Sequence, residues 1–107
     1  MASGKLGSAD LAAATDTLLY TVPAGTIATV NVRVANRNSA SAKVRVAIGA
    51  GASPAASDYV DYDIPVPGNG ILEDTGIVCS AGEKIWVRSD LANVSVRVHG
   101  FEEVAQS

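Results

Sequence analysis

One histidine and one cysteine are the side chains in this sequence best suited to acid-base or nucleophilic chemistry. A serine or cysteine nucleophile needs a base within hydrogen-bonding distance, and His99 is the only histidine. In residues 94–99 the histidine alternates with valines, so it shares a face with Ser95 and Arg97 opposite those valines. This pattern favours a solvated strand histidine over a catalytic base.

The single cysteine points to packing rather than catalysis. Cys79 follows Val78 at the end of an apolar run, where a small buried side chain is more common than an activated thiolate. One cysteine supports neither an internal disulfide nor a cysteine-based zinc cluster. The sequence therefore predicts no enzyme activity, no cofactor and no metal site.

Carboxylates are concentrated in residues 57–75, a segment without Lys or Arg. Paired carboxylates serve acid-base or calcium chemistry, but the Asp-x-Asp-x-Asp-Gly spacing of a calcium loop is missing. Because Asp61 and Asp63 belong to an alternating strand pattern, a solvated strand face is the favoured interpretation. The acidic residues of this segment are Asp58, Asp61, Asp63, Glu73 and Asp74.

A basic segment precedes the acidic one. Arg33, Arg37, Lys43 and Arg45 are the only charged residues in positions 17–57. Three of them share the outward phase of two consecutive strands, which predicts a long hairpin with one positive patch. One interpretation is a solvated face that deters edge aggregation. The other is a surface that contacts the acidic segment of a neighbouring copy.

The only tryptophan has two possible orientations. If Ile85 and Val87 face the core, Trp86 faces outward, where tryptophan is enriched in interfaces. In the opposite phase Trp86 is a core residue, which a chain with 5% aromatic residues would also need. Both orientations stay open. The candidate interface residues are Arg33, Arg37, Lys43, Arg45, Asp58, Asp61, Asp63 and Trp86.

Period-two alternation is the dominant pattern of the chain, and it is typical of strands with one buried face. It predicts strands at residues 17–22, 28–34, 43–48, 59–64, 70–79, 84–89 and 94–101, separated by turn-favouring residues. The prediction is an all-β, antiparallel β-sandwich of seven to eight strands, with jelly-roll connectivity as one form and a closed barrel as the alternative. The predicted core includes Val30, Val32, Val34, Val44, Val46, Ile48, Val94, Val96 and Val98.

Length and composition limit the architecture and the partners. The 107 residues, 48% hydrophobic and 18% charged, suit one globular domain over residues 1–107. The net charge of −3 argues against general nucleic-acid binding, and no apolar run predicts a secretion signal or a membrane partner. Residues 1–8 and 104–107 are mostly small or polar and are predicted to be a flexible arm and a short tail that a neighbour orders.

Several segments together resemble a known group of proteins. They include LAAATDTLLYTVPAGT at residues 11–26, VNVRV at 30–34, AGEKIWVRS at 81–89 and ANVSVRVHGFEE at 92–103. This pattern resembles small β-sandwich virion structural proteins of tailed bacteriophages, found as capsid decoration or cement proteins and as tail or fibre-attachment components. The resemblance covers nearly the whole chain and carries no catalytic or binding residues.

The resemblance implies a protein made in the bacterial host cytoplasm and assembled into a virion. Its expected partners are other copies of itself, in an oligomer or repeated array, and other virion proteins. The alternative is a carbohydrate-binding or adhesive β-sandwich. That alternative is disfavoured because sugar sites commonly use aromatic platforms, and the available rings are Tyr20, Tyr59, Tyr62, Trp86 and Phe101.

Overall fold

The computed structural model describes residues 2–105. This range contains eight strands, numbered here in chain order, and a single 3-10 turn, Ala56–Asp58, precedes the fifth strand. The strands are β1 (Ser3–Leu11), β2 (Thr17–Thr21), β3 (Thr26–Asn36), β4 (Ala42–Gly49), β5 (Tyr59–Val66), β6 (Ile71–Cys79), β7 (Lys84–Ser89) and β8 (Val94–Val104).

The strands form two four-stranded antiparallel sheets. Sheet A has the order β1-β8-β3-β6, and sheet B has the order β2-β7-β4-β5. The first strand pairs with the last, the second with the seventh, the third with the sixth and the fourth with the fifth. This nested pairing is the jelly-roll arrangement. The β-sandwich prediction is confirmed, and the open edges of both sheets rule out the closed barrel.

The core consists of the apolar phase of these strands. Val30, Val32 and Val34 on β3 are at most 1% exposed, and the six other predicted core residues belong to the same cluster or pack against it. Cys79 is fully buried beside them, as its apolar flank predicts. Burial raises the pKa of the Cys79 thiol to about 11, so the thiol remains protonated at neutral pH.

The predicted hairpin of the basic segment is wrong. Strands β3 and β4 lie in opposite sheets, and the chain crosses between them after Asn36. Asn36 is 2% exposed, and its side-chain amide donates to the carbonyls of Ala40 and Val66 at 2.9 and 3.1 Å. Alternation requires only that both strands turn their valines toward the core. Two strands in facing sheets meet this requirement as well as two strands of one hairpin do. Arg33 and Arg45 therefore point away from opposite faces of the sandwich.

The predicted flexible arm is also different in the structure. Strand β1 begins at Ser3 and pairs with β8 along its length. Its glycines permit close packing: a Cβ on Gly7 would overlap the backbone carbonyl of Leu19, and Gly4 has a φ of +94°. Small residues here allow strand packing and do not indicate disorder.

The tail prediction concerns residues 104–107. Val104 is the last residue of β8, and the Ala105 amide donates to the Gly25 carbonyl at 2.9 Å. Met1 of the arm, and Gln106 and Ser107 of the tail, lie outside the described residues. The part of the tail that is described is thus joined to the β2–β3 turn of its own chain.

Candidate functional site

The outer face of sheet B carries a basic cluster with a carboxylate at its centre. Arg45 Nε donates to Asp63 Oδ1 at 2.7 Å, and the guanidinium carbon lies 4.1 Å from the ring centre of Tyr62. Tyr62 in turn packs edge-on against Tyr59, with 5.1 Å between ring centres. The cluster therefore combines an ion pair with a cation–π contact.

Asp63 occupies an irregular position that brings it to this cluster. The β4–β5 register shifts between Val44 and Val46, and Asp63 has a φ of +53°, which is uncommon for residues other than glycine. Its hydrogen bond to Arg45 lowers the pKa of the carboxyl, and the charges of Lys43 and Arg88 lower it further. Asp63 is therefore an ionised carboxylate that neutralises its basic neighbours.

Three ion pairs join charged side chains among residues 2–105, and two of them link the basic segment to the acidic segment. Besides Arg45 with Asp63, Arg33 Nη1 lies 3.2 Å from Glu73 Oε2, and Arg37 contacts Asp10. Lys43 contacts a further carboxylate through its backbone amide, which donates to Asp90 Oδ1 at 2.8 Å. These contacts replace the single positive patch predicted from the sequence.

Asp58 has a local structural role. Its carboxylate accepts a hydrogen bond from the Ala55 amide at 2.9 Å and packs so closely on Gly49 that a Cβ there would overlap it. The segment 50–58 thereby folds back toward the outer face of sheet B, and Lys84 Nζ donates to the Gly51 carbonyl at 3.1 Å. Asp58 therefore stabilises a turn in its own chain.

Trp86 combines features of both predicted orientations. Ile85 and Val87 belong to the core cluster, so Trp86 has the outward phase on β7, between Leu18 of β2 and Ala47 of β4. The indole is nevertheless only 5% exposed. Its burial on the outer face removes Trp86 from the accessible interface residues.

The edge strands β5 and β6 form one open side of the sandwich, here called the β5–β6 side. Asp61 lies opposite Val46 and Asp74 lies opposite Val32, so both acids have the core-facing phase. Their carboxyl groups interact across the gap between the sheets, and Asp61 Oδ2 is buried without a partner. A cavity of about 300 Å³ adjoins this pair.

Burial is the main reason that the pKa of Asp61 rises to about 7, and the neighbouring Asp74 carboxyl adds to the effect. The Asp61 carboxyl is therefore protonated below neutral pH. Inward-pointing charged residues on edge strands are a known obstacle to uncontrolled edge pairing. The sequence placed both acids on a solvated face, and the structure corrects this.

Exposed apolar side chains also gather at the sheet edges. The most exposed large ones on edge strands among residues 2–105 are Leu18 on β2, Val60 and Tyr62 on β5, and Ile71 and Val78 on β6. Edge strands also present backbone groups on one side that have no strand neighbour. Four of these five side chains lie on the β5–β6 side.

Two cross-strand arginine pairs are not evident from the sequence. Arg33 lies opposite Arg97 in sheet A, and Arg45 lies opposite Arg88 in sheet B. All four residues have the outward phase, which alternation shows, but their pairing depends on the strand register. His99 has the same phase as Arg97, is half-buried, and has a buried Nδ1 without a partner.

Within residues 2–105, no cluster of three or more His, Cys, Asp or Glu side chains is arranged to hold a metal ion. No helix in that part of the chain has the length and apolar character needed to cross a membrane. Comparisons of the chain with protein-family models, with curated proteins and with solved structures gave no match.

Proposed function

We propose that this protein is a structural component of a tailed bacteriophage virion, working as capsid decoration or cement or in tail or fibre attachment. The support is the resemblance of residues 11–103 to small virion β-sandwich proteins, together with the jelly-roll strand order. Jelly rolls recur in viral capsid domains and in lectins. The function proposed is therefore the formation of contacts between protein surfaces.

The main structural support for this proposal is the exposure of apolar side chains on the β5–β6 side. Val60, Tyr62 and Val78 are 55%, 56% and 67% exposed on its two edge strands. Val60 and Tyr62 have the outward phase of sheet B, and Val78 has that of sheet A. Exposed apolar side chains thus flank this side from both sheets, which favours a protein contact site. The occupant proposed here is a second copy of the chain.

A second copy fits this side for two reasons. A two-fold axis sets the same surface of each copy against the other, so an apolar side chain on one copy meets apolar side chains on the other. In addition, the three ion pairs join charges within one chain, so they leave apolar burial as the main attraction between copies.

Sedimentation of the full chain over a range of concentrations tests the contact. Val78→Lys should shift the parent oligomer toward monomer because it places a charge in the apolar contact. Val104→Lys is the matched control, since Val104 is also 67% exposed but lies on β8. A monomeric parent at all concentrations, or equal effects of both variants, would contradict a contact on this side.

Location on the particle needs a separate experiment. Tailed phage particles released from the host that carries this gene should contain the protein at many copies, measured by mass spectrometry of purified virions. Antibody-labelled electron micrographs should then mark a repeated position on head or tail. Purified particles without the protein would overturn the virion proposal, whatever its oligomeric state.

A further inference from the structure

Two arginines on the central strands of sheet A lie directly opposite each other. Arg33 and Arg97 are register partners on the outer face, and like charges in such a position destabilise an antiparallel pair. On the side away from Arg97, Arg33 Nη1 lies 3.2 Å from Glu73 Oε2. On the side away from Arg33, Arg97 lies opposite Ser8, and it forms no ion pair within residues 2–105.

Sheet B contains a similar arrangement. Its opposed pair is Arg45 and Arg88; Asp63 binds Arg45 at 2.7 Å, and the Arg88 charge also acts on the Asp63 carboxyl. The backbone leaves regular strand geometry to place Asp63 there, with a φ of +53°. In each sheet one arginine of the pair has a carboxylate partner, while Arg88 and Arg97 form no ion pair within residues 2–105.

A depression of about 440 Å³ lies over the sheet A pair. Both arginines line it, and small side chains, among them Ser8, Ala35 and Ser95, form the rest of its central surface. Asp10 lines it as well, but that carboxylate is engaged with Arg37. The depression is therefore lined by two arginines and two serines, and it has room for a ligand of monosaccharide size.

We propose that this depression binds a small organic acid through its carboxylate. The carboxylate lies between Arg33 and Arg97, in the role that Asp63 has in sheet B, and the rest of the molecule lies over Ala35 and Ser95. Guanidinium groups match carboxylates in geometry and form charge-assisted hydrogen bonds with them. This site is independent of the proposed contact on the β5–β6 side.

Amide chemical shifts of the full chain provide the test, with glucuronate as the probe and glucose as its uncharged match. Glucuronate should give saturable shifts at Ala35 and Ser95, and glucose should not. Arg97→Gln should weaken glucuronate binding about tenfold, the scale of one charge-assisted contact. Arg88→Gln, which alters the other opposed pair, should bind as the parent does.

Thermal unfolding separates a binding defect from a folding defect. Arg97→Gln removes a like-charge contact, so its Tm should equal or exceed that of the parent. Glucuronate should raise the Tm of the parent and not that of Arg97→Gln. Equal binding of glucose, parent-like binding by Arg97→Gln, or tighter binding of inorganic phosphate than of glucuronate would each overturn the carboxylate site.

Discussion

Neighbouring carboxyl groups on β5 have opposite protonation behaviour because they face different surroundings. Asp63 points to the basic cluster on the outer face, and its pKa is lowered by Arg45. Asp61 turns toward the gap between the sheets, and burial beside Asp74 raises its pKa to about 7. A side chain's phase in the strand therefore decides its charge at neutral pH.

The raised pKa of Asp61 predicts a pH-dependent stability. The folded state holds a proton on Asp61 that the unfolded chain releases near pH 4, so folding takes up a proton between about pH 4 and pH 7. The contribution of Asp61 to stability is complete below pH 4 and is lost as the pH rises to 7. This trend is opposite to that of an ion-paired aspartate.

Asp61→Asn should remove this pH dependence. At pH 8 the variant should be more stable than the parent by on the order of 1 kcal/mol, well below the full linkage value because the site is partly exposed to solvent. Urea denaturation at pH 5 and pH 8 measures the difference. A parent whose stability rises from pH 5 to pH 8 relative to Asp61→Asn would contradict the raised pKa of Asp61.

Strand β8 is one of the two central strands of sheet A, and it pairs with both β1 and β3. Its position depends on a glycine near its end. A Cβ on Gly100 would overlap the Thr29 carbonyl oxygen and lie 2.8 Å from the Val30 Cα. Both contacts are backbone atoms of β3, so no side-chain rotation relieves them.

Gly100→Ala should therefore destabilise the protein by about 3 kcal/mol, as an overpacked core does. Gly76→Ala is the matched control: Gly76 also has a positive φ, +66°, but a Cβ there would meet nothing within 4 Å. Its cost should be about 1 kcal/mol, from backbone strain alone. Equal losses in chemical denaturation would show that β8 and β3 separate easily at this point.

The structure of β1 and the sequence pattern predict different effects for a deletion of residues 1–8. Interpreted as a flexible arm, residues 1–8 should matter for assembly and little for folding. Because β1 pairs with β8 and its Leu6 packs against the core, their deletion should instead lower the Tm of the isolated chain strongly. Differential scanning calorimetry of the truncated chain at low concentration measures the Tm. An unchanged Tm would support the prediction that residues 1–8 are a flexible arm.

Across the whole molecule, charged side chains form local ion pairs on the two opposite faces of the sandwich. Arg33 with Glu73 lies on sheet A, and Arg45 with Asp63 lies on sheet B. Exposed ion pairs contribute little to stability, and salt screens them. The two faces should therefore respond differently to charge reversal, because their pairs differ in packing.

Arg45→Glu should lower the Tm by a few degrees, since it removes the contact with Tyr62 and sets a second carboxylate beside Asp63. Arg33→Glu should leave the Tm nearly unchanged, because its repulsion from Glu73 is offset by attraction to Arg97. Melting curves at low and high salt test both. A larger loss for Arg33→Glu would mean that the sheet A pair has the greater structural importance.

Alternation by itself determined seven of the eight strands, β2 to β8, together with the all-β class and most of the core. Val30, Val32 and Val34 are buried because period-two spacing puts them on one face, whatever the strand pairs with. The same spacing correctly placed Arg33 and Arg45 outward. These properties depend on local geometry, which a single segment encodes.

Tertiary structure decided everything that depends on which strands meet. Alternation is identical for a hairpin and for two facing sheets, so the separation of Arg33 from Arg45 follows only from the crossing at Asn36. The opposition of Arg33 and Arg97, and the meeting of Asp61 with Asp74, likewise join residues distant in the chain. Register and long-range pairing are set by the packing of the whole core, and no local pattern contains them.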